Sequence, residues 1–407
     1  MNASTAPAHA AVASAERRRA ALAWAAAVVV AAALIAATRF TSRDPDSAVY
    51  AGLSARLAAE PLQRWIAPEW WGHWGFEGPF REHPIGILLL PAALGRLGYP
   101  APQAAYAVNA CFQAVSFVLI GALAAFVVTR REARALTWVL QLILIAFVFR
   151  IRANQEYAVL AGILAALYAT ERSRERPAWA WLTAAAFAWV LLVKGVFGLI
   201  VPLLCALWLL ARWAGGADDH PGVTRRAWIA LGATLAVLPV VAGGYEWLYQ
   251  RATGDSFLAF YTGPRLNPDA VVSNVWLRWP INFGWYIGRL IWYAMPWSPF
   301  ALGLGWLWAR GRFVPDSRTR GALLFALCAS AALLAAFAAA DRRADRFIFP
   351  AYFAIGAAGA VAAIRWSPRL SRVVERLDRP WVPATFWIGL FLLRLVSGAH
   401  LPRLATG

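Results

Sequence analysis

The sequence is short of charged residues: they make up only 15% of its 407 positions, whereas 61% of the residues are hydrophobic. A soluble domain carries about 25% charged residues, so this chain has too little polar material to cover a surface that faces water. Its apolar residues lie in runs of roughly 15–27, the length at which a helix crosses about 30 Å of hydrocarbon. This pattern predicts an all-α, polytopic integral membrane protein. It excludes a soluble enzyme, a disordered chain and an outer-membrane barrel, whose segments are short and alternating.

Cysteine and nucleotide-binding motifs are scarce as well. Cys111, Cys205 and Cys328 each lie within an apolar run and have no partner at motif spacing, which argues against disulfides and a cysteine metal site. Gly303-Leu-Gly305 lacks the third glycine of a dinucleotide loop. We therefore expect no cofactor, although a divalent ion held by Asp44, Asp46 and another outer acid stays open as an alternative.

Acidic residues are outnumbered by basic ones, 21 to 39, which gives a net charge of +18. In a membrane protein this excess is first a topology signal, because basic residues collect in cytoplasmic loops. A cytoplasmic N-terminus accounts for the charge without a nucleic-acid partner and predicts a multi-pass protein of the inner (plasma) membrane. Eleven spans follow, near residues 20–37, 102–128, 135–149, 153–170, 178–193, 195–213, 226–244, 281–309, 320–340, 346–364 and 381–399.

Residues 84–98 are the apolar stretch that does not fit as a span, since a crossing there would turn later basic loops outward. We interpret them as a juxtamembrane or re-entrant helix in a first outer loop of residues 39–101. The chain then divides into a cytoplasmic tail (1–19), a transmembrane domain (20–365), and a last part (366–407) with a cytoplasmic segment, one span and an external tail. The first span resembles a signal peptide at Ala36-Ala37-Thr38, but its length favours an uncleaved helix.

The first outer loop begins with an amphipathic pattern over residues 43–57, in which Val49, Leu53 and Leu57 form a face that we expect to lie on lipid. Asp44 suits a helix N-cap, and Asp46 suits the first turn of the same helix. A carboxylate at the membrane surface could also serve as the base for a lipid-linked substrate.

The same loop is rich in aromatic residues that are typical of a membrane interface, and some of them could stack on a sugar ring. It ends in Arg81-Glu-His-Pro84, where a carboxylate and an imidazole meet the start of an apolar helix. An ordinary surface histidine is the simpler interpretation of His83 alone.

Taken together, these motifs resemble the C-type membrane glycosyltransferases, the superfamily of the protein O-mannosyltransferases and the lipid A aminoarabinose transferase. Asp46-Ser-Ala-Val-Tyr-Ala is similar to the family's acid-acid-x-x-Tyr-Ala segment, and Arg81-Glu-His-Pro-Ile to its Glu-Lys-Pro-Pro-Leu. Three later segments follow in the family's order: Lys194-Gly-Val, Met295-Pro-Trp-Ser and Arg343-Ala-Asp-Arg-Phe-Ile-Phe-Pro. Ser47 stands where many members have a second acid.

The resemblance implies inverting transfer of a sugar from a polyprenyl-phosphate donor to a hydroxyl of a lipid, glycan or protein acceptor, on the outer face of the membrane. A base must receive the proton of that hydroxyl, and cations must face the departing phosphate. Asp46 is the expected base and Glu82 its companion. The expected phosphate ligands are His83, Lys194, Arg342, Arg343 and Arg346, and secondary candidates are Asp44, Arg81, Arg150 and Glu156.

Two polar interruptions support a cavity for a lipid phosphate. The apolar tract 178–213 is broken near Lys194, and Arg150-Ile-Arg152 is followed by Asn154-Gln-Glu156, so both predict recessed outward turns. Plain external hairpins with snorkelling cations are the alternative. A transporter or flippase and a non-catalytic scaffold of the cell envelope stay open as other functions; a transporter should show charges near mid-membrane and related halves.

Overall fold

A computed structural model describes residues 6–70, 78–216, 221–266, 275–340 and 343–400. These residues form eighteen α-helices and no strand, apart from one isolated bridge between Glu69 and Pro79. The all-α class is thereby confirmed for the described chain. The helices are α1 (Ala6–Thr38), α2 (Pro45–Ala59), α3 (Gly86–Arg96), α4 (Gln103–Ala124), α5 (Arg130–Val139), α6 (Leu144–Phe149), α7 (Glu156–Ser173), α8 (Ala180–Lys194), α9 (Ile200–Ala214), α10 (Pro221–Thr234), α11 (Val237–Thr253), α12 (Phe257–Leu266), α13 (Val275–Tyr293), α14 (Ser298–Ala309), α15 (Ser317–Ala338), α16 (Phe349–Trp366), α17 (Pro368–Arg376) and α18 (Val382–His400).

Six helical segments among the described residues are long and apolar enough to cross a membrane, which confirms a polytopic membrane protein. Several of the other predicted spans are shorter or broken helices, so the count of eleven stays a prediction. The six segments are Val12–Thr38, Gln103–Ala124, Pro177–Ala214, Arg225–Thr253, Ser317–Ala338 and Asp345–Trp366.

Two of the predicted spans are interrupted and do not form single helices. Residues 135–149 end α5 at Val139, pass through a short 3-10 turn and an extended Ile143, and then resume as α6. Residues 281–309 are divided between α13 and α14, because Pro296 has no N–H to continue α13 and Pro299 suits the first turn of α14. The backbone N–H of Leu144 donates to the carbonyl of Met295 at 3.2 Å, so the two breaks lie against each other.

The core of the bundle lies where α4, α7 and α16 meet. Phe349 packs against Phe149 and Tyr157 with ring centroids 5.1 Å apart in both pairs. On the other side of α16, a Cβ on Gly359 would lie 2.0 Å from the carbonyl oxygen of Trp297, so only glycine lets α14 approach so closely. This packing fixes α16 and the loop that precedes it.

One end of the bundle is held by ion pairs. Arg365 donates to Glu132 at 2.6 and 3.1 Å, and Arg134 pairs with Asp378 at 3.1 Å and with Glu16 at 3.8 Å. These contacts join α1, α5, α16 and Asp378, which follows α17, at the end predicted to be cytoplasmic. The eighteen residues of α16 rise about 27 Å, so Arg346, which precedes the helix, lies near the opposite end.

The segment predicted as the first outer loop contains two α-helices, α2 and α3, as expected, and their position beside the membrane stays a prediction. α2 packs against α3 and α4, however, and Leu53 and Leu57 are both fully buried. The expectation that this face lies on lipid is therefore wrong, because α3 covers it. The two ends of α3 lie close to Leu192 of α8 and to Ala58 of α2, which places the whole helix at one end of the bundle.

The first helix also differs from the prediction. The structure continues α1 back to Ala6, so part of the expected tail is helical. At the predicted break in the tract 178–213, α8 ends at Lys194 and a 3-10 turn over Gly195–Leu199 leads into α9, as the polar interruption indicated.

Candidate active site

The site begins at the first turn of α2, which Asp44 caps. Its Oδ2 accepts hydrogen bonds from the backbone N–H of Ser47 at 3.0 Å and from the Ser47 hydroxyl at 2.7 Å. Its Oδ1 lies 3.2 Å from Nη1 of Arg152, and the Asp44 side chain is only 14% exposed. Asp44 is thus occupied by the helix cap and by one ion pair.

Asp46 occupies the first turn of the same helix and has a different environment. Its side chain is 44% exposed, and its carboxylate forms an ion pair with Arg346. Arg346 belongs to the 3-10 turn Asp345–Ile348 that leads into α16. The fold therefore brings the first and last of the sequence motifs into direct contact and leaves Asp46 accessible.

The short segment from Arg152 to Glu156, between α6 and α7, links the remaining motifs. Arg152 binds Asp44, and the backbone N–H of Ala153 donates to the Ser47 hydroxyl at 3.0 Å. Gln155 contacts Tyr50 of α2, and Glu156 contacts Lys194 at the end of α8. One connection between two helices therefore holds several otherwise separate parts of the chain.

His83 lies within this arrangement. Its Nε2 is 3.1 Å from Nε2 of Gln155, which also donates to the Tyr50 hydroxyl at 3.2 Å. The Tyr50 and His83 rings lie 6.5 Å apart. Glu82, which precedes His83, is partly buried. The imidazole is thereby held beside the turn of α2 that follows Asp46.

Lys194 forms a buried ion pair. Its Nζ lies 3.4 Å from Oε1 of Glu156, and the two side chains are 6% and 1% exposed. The ammonium also lies 4.7 Å from the centre of the Phe197 ring. Gly195 permits the turn, because it has a φ of +58° and a Cβ there would lie 2.6 Å from the Tyr261 hydroxyl. The cation of the predicted recessed turn is therefore fixed in position.

Another acid, Asp345, precedes Arg346 in the chain. It accepts from the Tyr293 hydroxyl at 3.1 Å and pairs with Arg289 at 3.3 Å.

In the described part of this site, four cationic side chains each pair with one carboxylate: Arg152 with Asp44, Arg346 with Asp46, Lys194 with Glu156, and Arg289 with Asp345.

Several candidates lie elsewhere. Arg81 turns toward α11, where it pairs with Asp255 and donates to the Tyr249 hydroxyl at 3.1 Å. Arg150 is fully buried and donates to the backbone carbonyl of Gln141 at 3.0 Å, which gives it a packing role in the α5–α6 break. Arg343 is exposed, and Arg342 lies outside the described residues.

Within the described ranges, no group of three or more His, Cys, Asp and Glu side chains is arranged to hold a metal ion. The expectation that no cofactor is needed stays a prediction. Sequence reasoning missed five residues that the fold places here: Tyr50, Gln155, Arg152, Arg289 and Asp345. The polar turn after Arg150 had signalled Arg152 and Gln155, and Asp345 lies inside the recognised Arg343–Pro350 motif.

Comparison with known proteins gives likeness in structure only. No protein-family profile matches the sequence, and no curated protein matches it. ArnT from Cupriavidus metallidurans bound to undecaprenyl phosphate is similar with a TM-score of 0.64 and 17% identity, over 93% of this chain and 76% of that one. Its apo form gives 0.61 and 18%, over 93% and 77%.

A second similar structure is the oligosaccharyltransferase AglB from Archaeoglobus fulgidus in complex with an inhibitory peptide and a dolichol-phosphate. Its TM-score is 0.54 at 12% identity, over 94% of this chain and 56% of that one. ArnT and AglB both belong to the superfamily that the sequence motifs resemble. The chain therefore has the polytopic membrane fold of ArnT and AglB.

Proposed function

We propose that this protein is an inverting glycosyltransferase that moves a sugar from a polyprenyl-phosphate carrier to the hydroxyl of a lipid, glycan or protein acceptor. The observation that carries the proposal is the accessible carboxylate of Asp46 beside the guanidinium of Arg346, at one end of an ArnT-like bundle. The undecaprenyl phosphate bound to ArnT and the dolichol-phosphate bound to AglB support a polyprenyl phosphate as carrier.

The cations suit the leaving group. As the bond between the anomeric carbon and the phosphate oxygen breaks, its electron pair stays on that oxygen and negative charge develops there. Preorganised donors in a poorly hydrated site stabilise such charge most effectively. Lys194, which is buried, and Arg346, which is 21% exposed, are the proposed phosphate ligands. His83, with Gln155 behind it, is the proposed third ligand.

Asp46 is the proposed base. In a single displacement the acceptor oxygen bonds to the anomeric carbon on the face opposite the phosphate, so the configuration inverts and the hydroxyl proton passes to a carboxylate. Asp46 is 44% exposed, whereas the 14% exposed Asp44 already accepts from Ser47 and Arg152. Glu82 is proposed to orient the acceptor or His83. Because side chains supply every charge that this step needs, we propose that no cofactor takes part, and transfer should survive treatment with EDTA.

The proposed site faces the outer side of the inner membrane. The opposite end carries Arg17, Arg18 and Arg19 near Glu16, which pairs with Arg134, and basic residues favour the cytoplasmic side. The N-terminus is therefore proposed to be cytoplasmic.

Two measurements on the purified protein in detergent test the function. Undecaprenyl phosphate should bind, and undecaprenyl-phosphate sugars, offered with envelope lipids and glycans from a strain that lacks the protein, should yield a transferred sugar. NMR of the product should show the anomeric configuration opposite to that of the donor. Retention would contradict the single displacement. If the protein in proteoliposomes moves the lipid across the bilayer without transferring a sugar, it is a flippase and not a glycosyltransferase.

A further inference from the structure

Three consecutive residues of the linking segment bury oxygen atoms that have no hydrogen-bond partner. They are Oδ1 of Asn154, Oε1 of Gln155 and Oε2 of Glu156, and each residue is only 2% exposed. Other unpartnered buried side-chain atoms in the described chain occur at isolated positions, such as Thr183 Oγ1 in α8. A run of three in one segment is therefore a distinct feature of this site.

Leaving such atoms unsatisfied is costly. A buried acceptor without a partner has lost its hydration and gained no hydrogen bond in return, and buried polar groups in native proteins are nearly always paired with protein, water or ligand. Their neighbours also hold two of these side chains in place. Nε2 of Gln155 donates to Tyr50, and Oε1 of Glu156 faces Lys194 at 3.4 Å. The free oxygens are thus positioned before any ligand arrives.

All three unpartnered atoms are acceptors, which restricts the ligand. A phosphate at neutral pH also offers acceptors only, so it cannot satisfy them and belongs with the cations. A metal ion is disfavoured as the ligand of these oxygens, because the Lys194 ammonium already lies on one side of the Glu156 carboxylate. A ligand that carries several neutral hydrogen-bond donors fits three neighbouring acceptors.

We infer that Asn154, Gln155 and Glu156 form the subsite for the hydroxyl or amino groups of the donor sugar. This rests on the proposed function, because it places the sugar next to the cations that hold the carrier phosphate. The site is then divided by chemistry: side-chain donors face the phosphate, and side-chain acceptors face the sugar. A sugar with its hydroxyls removed or acylated would leave these oxygens unsatisfied and bind more weakly.

The test compares a bare lipid with sugar-bearing lipids on the same detergent-solubilised full chain. The bare lipid is undecaprenyl phosphate, and the sugar-bearing lipids are undecaprenyl-phosphate glucose, mannose, galactose and aminoarabinose. The quantity measured is the ratio of the dissociation constant for the bare lipid to that for the tightest sugar-bearing lipid. Asn154→Leu and Gln155→Met remove the acceptors, whereas Asn154→Asp and Gln155→Glu keep an acceptor oxygen at each position. Thr183→Val is the matched control, a buried unpartnered hydroxyl on α8 away from the linking segment.

The ratio should fall roughly three- to tenfold in Asn154→Leu and in Gln155→Met, the effect of one lost hydrogen bond. It should stay near wild type in the two acidic variants and in Thr183→Val. Binding of the bare lipid should be unchanged in Asn154→Leu and Thr183→Val. The two Gln155 variants also lose the Nε2 contact with His83, so for them the sugar-bearing lipid is compared with the bare lipid on the same variant. The inference is overturned if the apolar variants weaken both lipids equally or neither of them, or if wild type prefers no sugar-bearing lipid. Failure of wild type to bind bare undecaprenyl phosphate would instead remove the proposed function, and the inference with it.

Discussion

Replacing Asp46 by asparagine separates catalysis from folding, because the carboxylate is accessible and contributes little to packing. The Asp46 side chain is 44% exposed, and exposed ion pairs are worth about 0–1 kcal/mol, so losing the contact with Arg346 should barely change stability. Asparagine cannot accept the acceptor's proton. Removing a positioned base typically slows a reaction by about 10²–10⁴-fold.

Replacing Asp44 by asparagine should have the opposite profile. Asparagine caps a helix nearly as well as aspartate, so the hydrogen bond from the Ser47 N–H can be kept. The mostly buried ion pair with Arg152 is lost, and a hydrogen bond to a charged group contributes about 1.5–3 kcal/mol. We therefore expect a lower melting temperature and a fall in transfer of less than about tenfold.

The assay measures initial rates of sugar transfer and thermal unfolding for both variants in one detergent. Binding of undecaprenyl phosphate to Asp46→Asn serves as the control, and it should be kept or strengthened, since Arg346 is then free to face the phosphate. Near wild-type transfer in Asp46→Asn together with inactive but stable Asp44→Asn would refute the assignment of the base.

Three further expectations follow from the structure. Lys194→Gln should lose undecaprenyl-phosphate binding. It should also unfold at a lower temperature, because Glu156 is left as an unpaired buried carboxylate. Lys194→Arg should keep some binding but transfer the sugar poorly, and equal activity in wild type and both variants would remove Lys194 from the site. A reporter fused after Arg134 should report cytoplasmic and one after Tyr99 external, and opposite signals at both points would invert the topology. Burial alone would raise the pKa of Glu132, but the hydrogen bonds from Arg365 and Thr129 outweigh burial and lower that pKa. The stability that Glu132 contributes should therefore be fully present above its ordinary pKa of 4.5 and be lost as the pH falls through the lowered pKa. Glu132→Gln should flatten this pH dependence of the melting temperature.

The sequence was a good guide where local rules decide the outcome. Apolar runs located most helices, the cap at Asp44 marked the start of α2, and the break at Lys194 is the turn that the charge indicated. Order along the chain also carried weight, because individually weak motifs pointed to the superfamily whose fold the structure has.

It failed where tertiary packing overrides a local pattern. Leu53 and Leu57 have the spacing of a lipid-facing stripe, but the same spacing serves a helix that α3 covers, and nothing in α2 itself distinguishes the two. The sequence neighbours of Arg150 predict that it is a cation of the site. Its guanidinium turns instead to Gln141, which is reachable only because the chain breaks between α5 and α6.

The linking segment shows why the interior of the site could not be read from spacing. Glu156 begins α7 and the residues before it form an irregular connection, so Arg152, Gln155 and Glu156 reach Asp44, Tyr50 and Lys194, which are far from them in the chain. A periodic helix would place neighbours three or four positions apart on one face and could not make these contacts with adjacent residues. A cluster of polar residues in a break between apolar helices therefore indicates a segment that contacts several helices. Which residues it contacts is set by the packing of α2, α7 and α8. The partners fixed by that packing leave one side-chain oxygen of Asn154, Gln155 and Glu156 without a protein donor, and the proposed donor sugar would supply the missing donors.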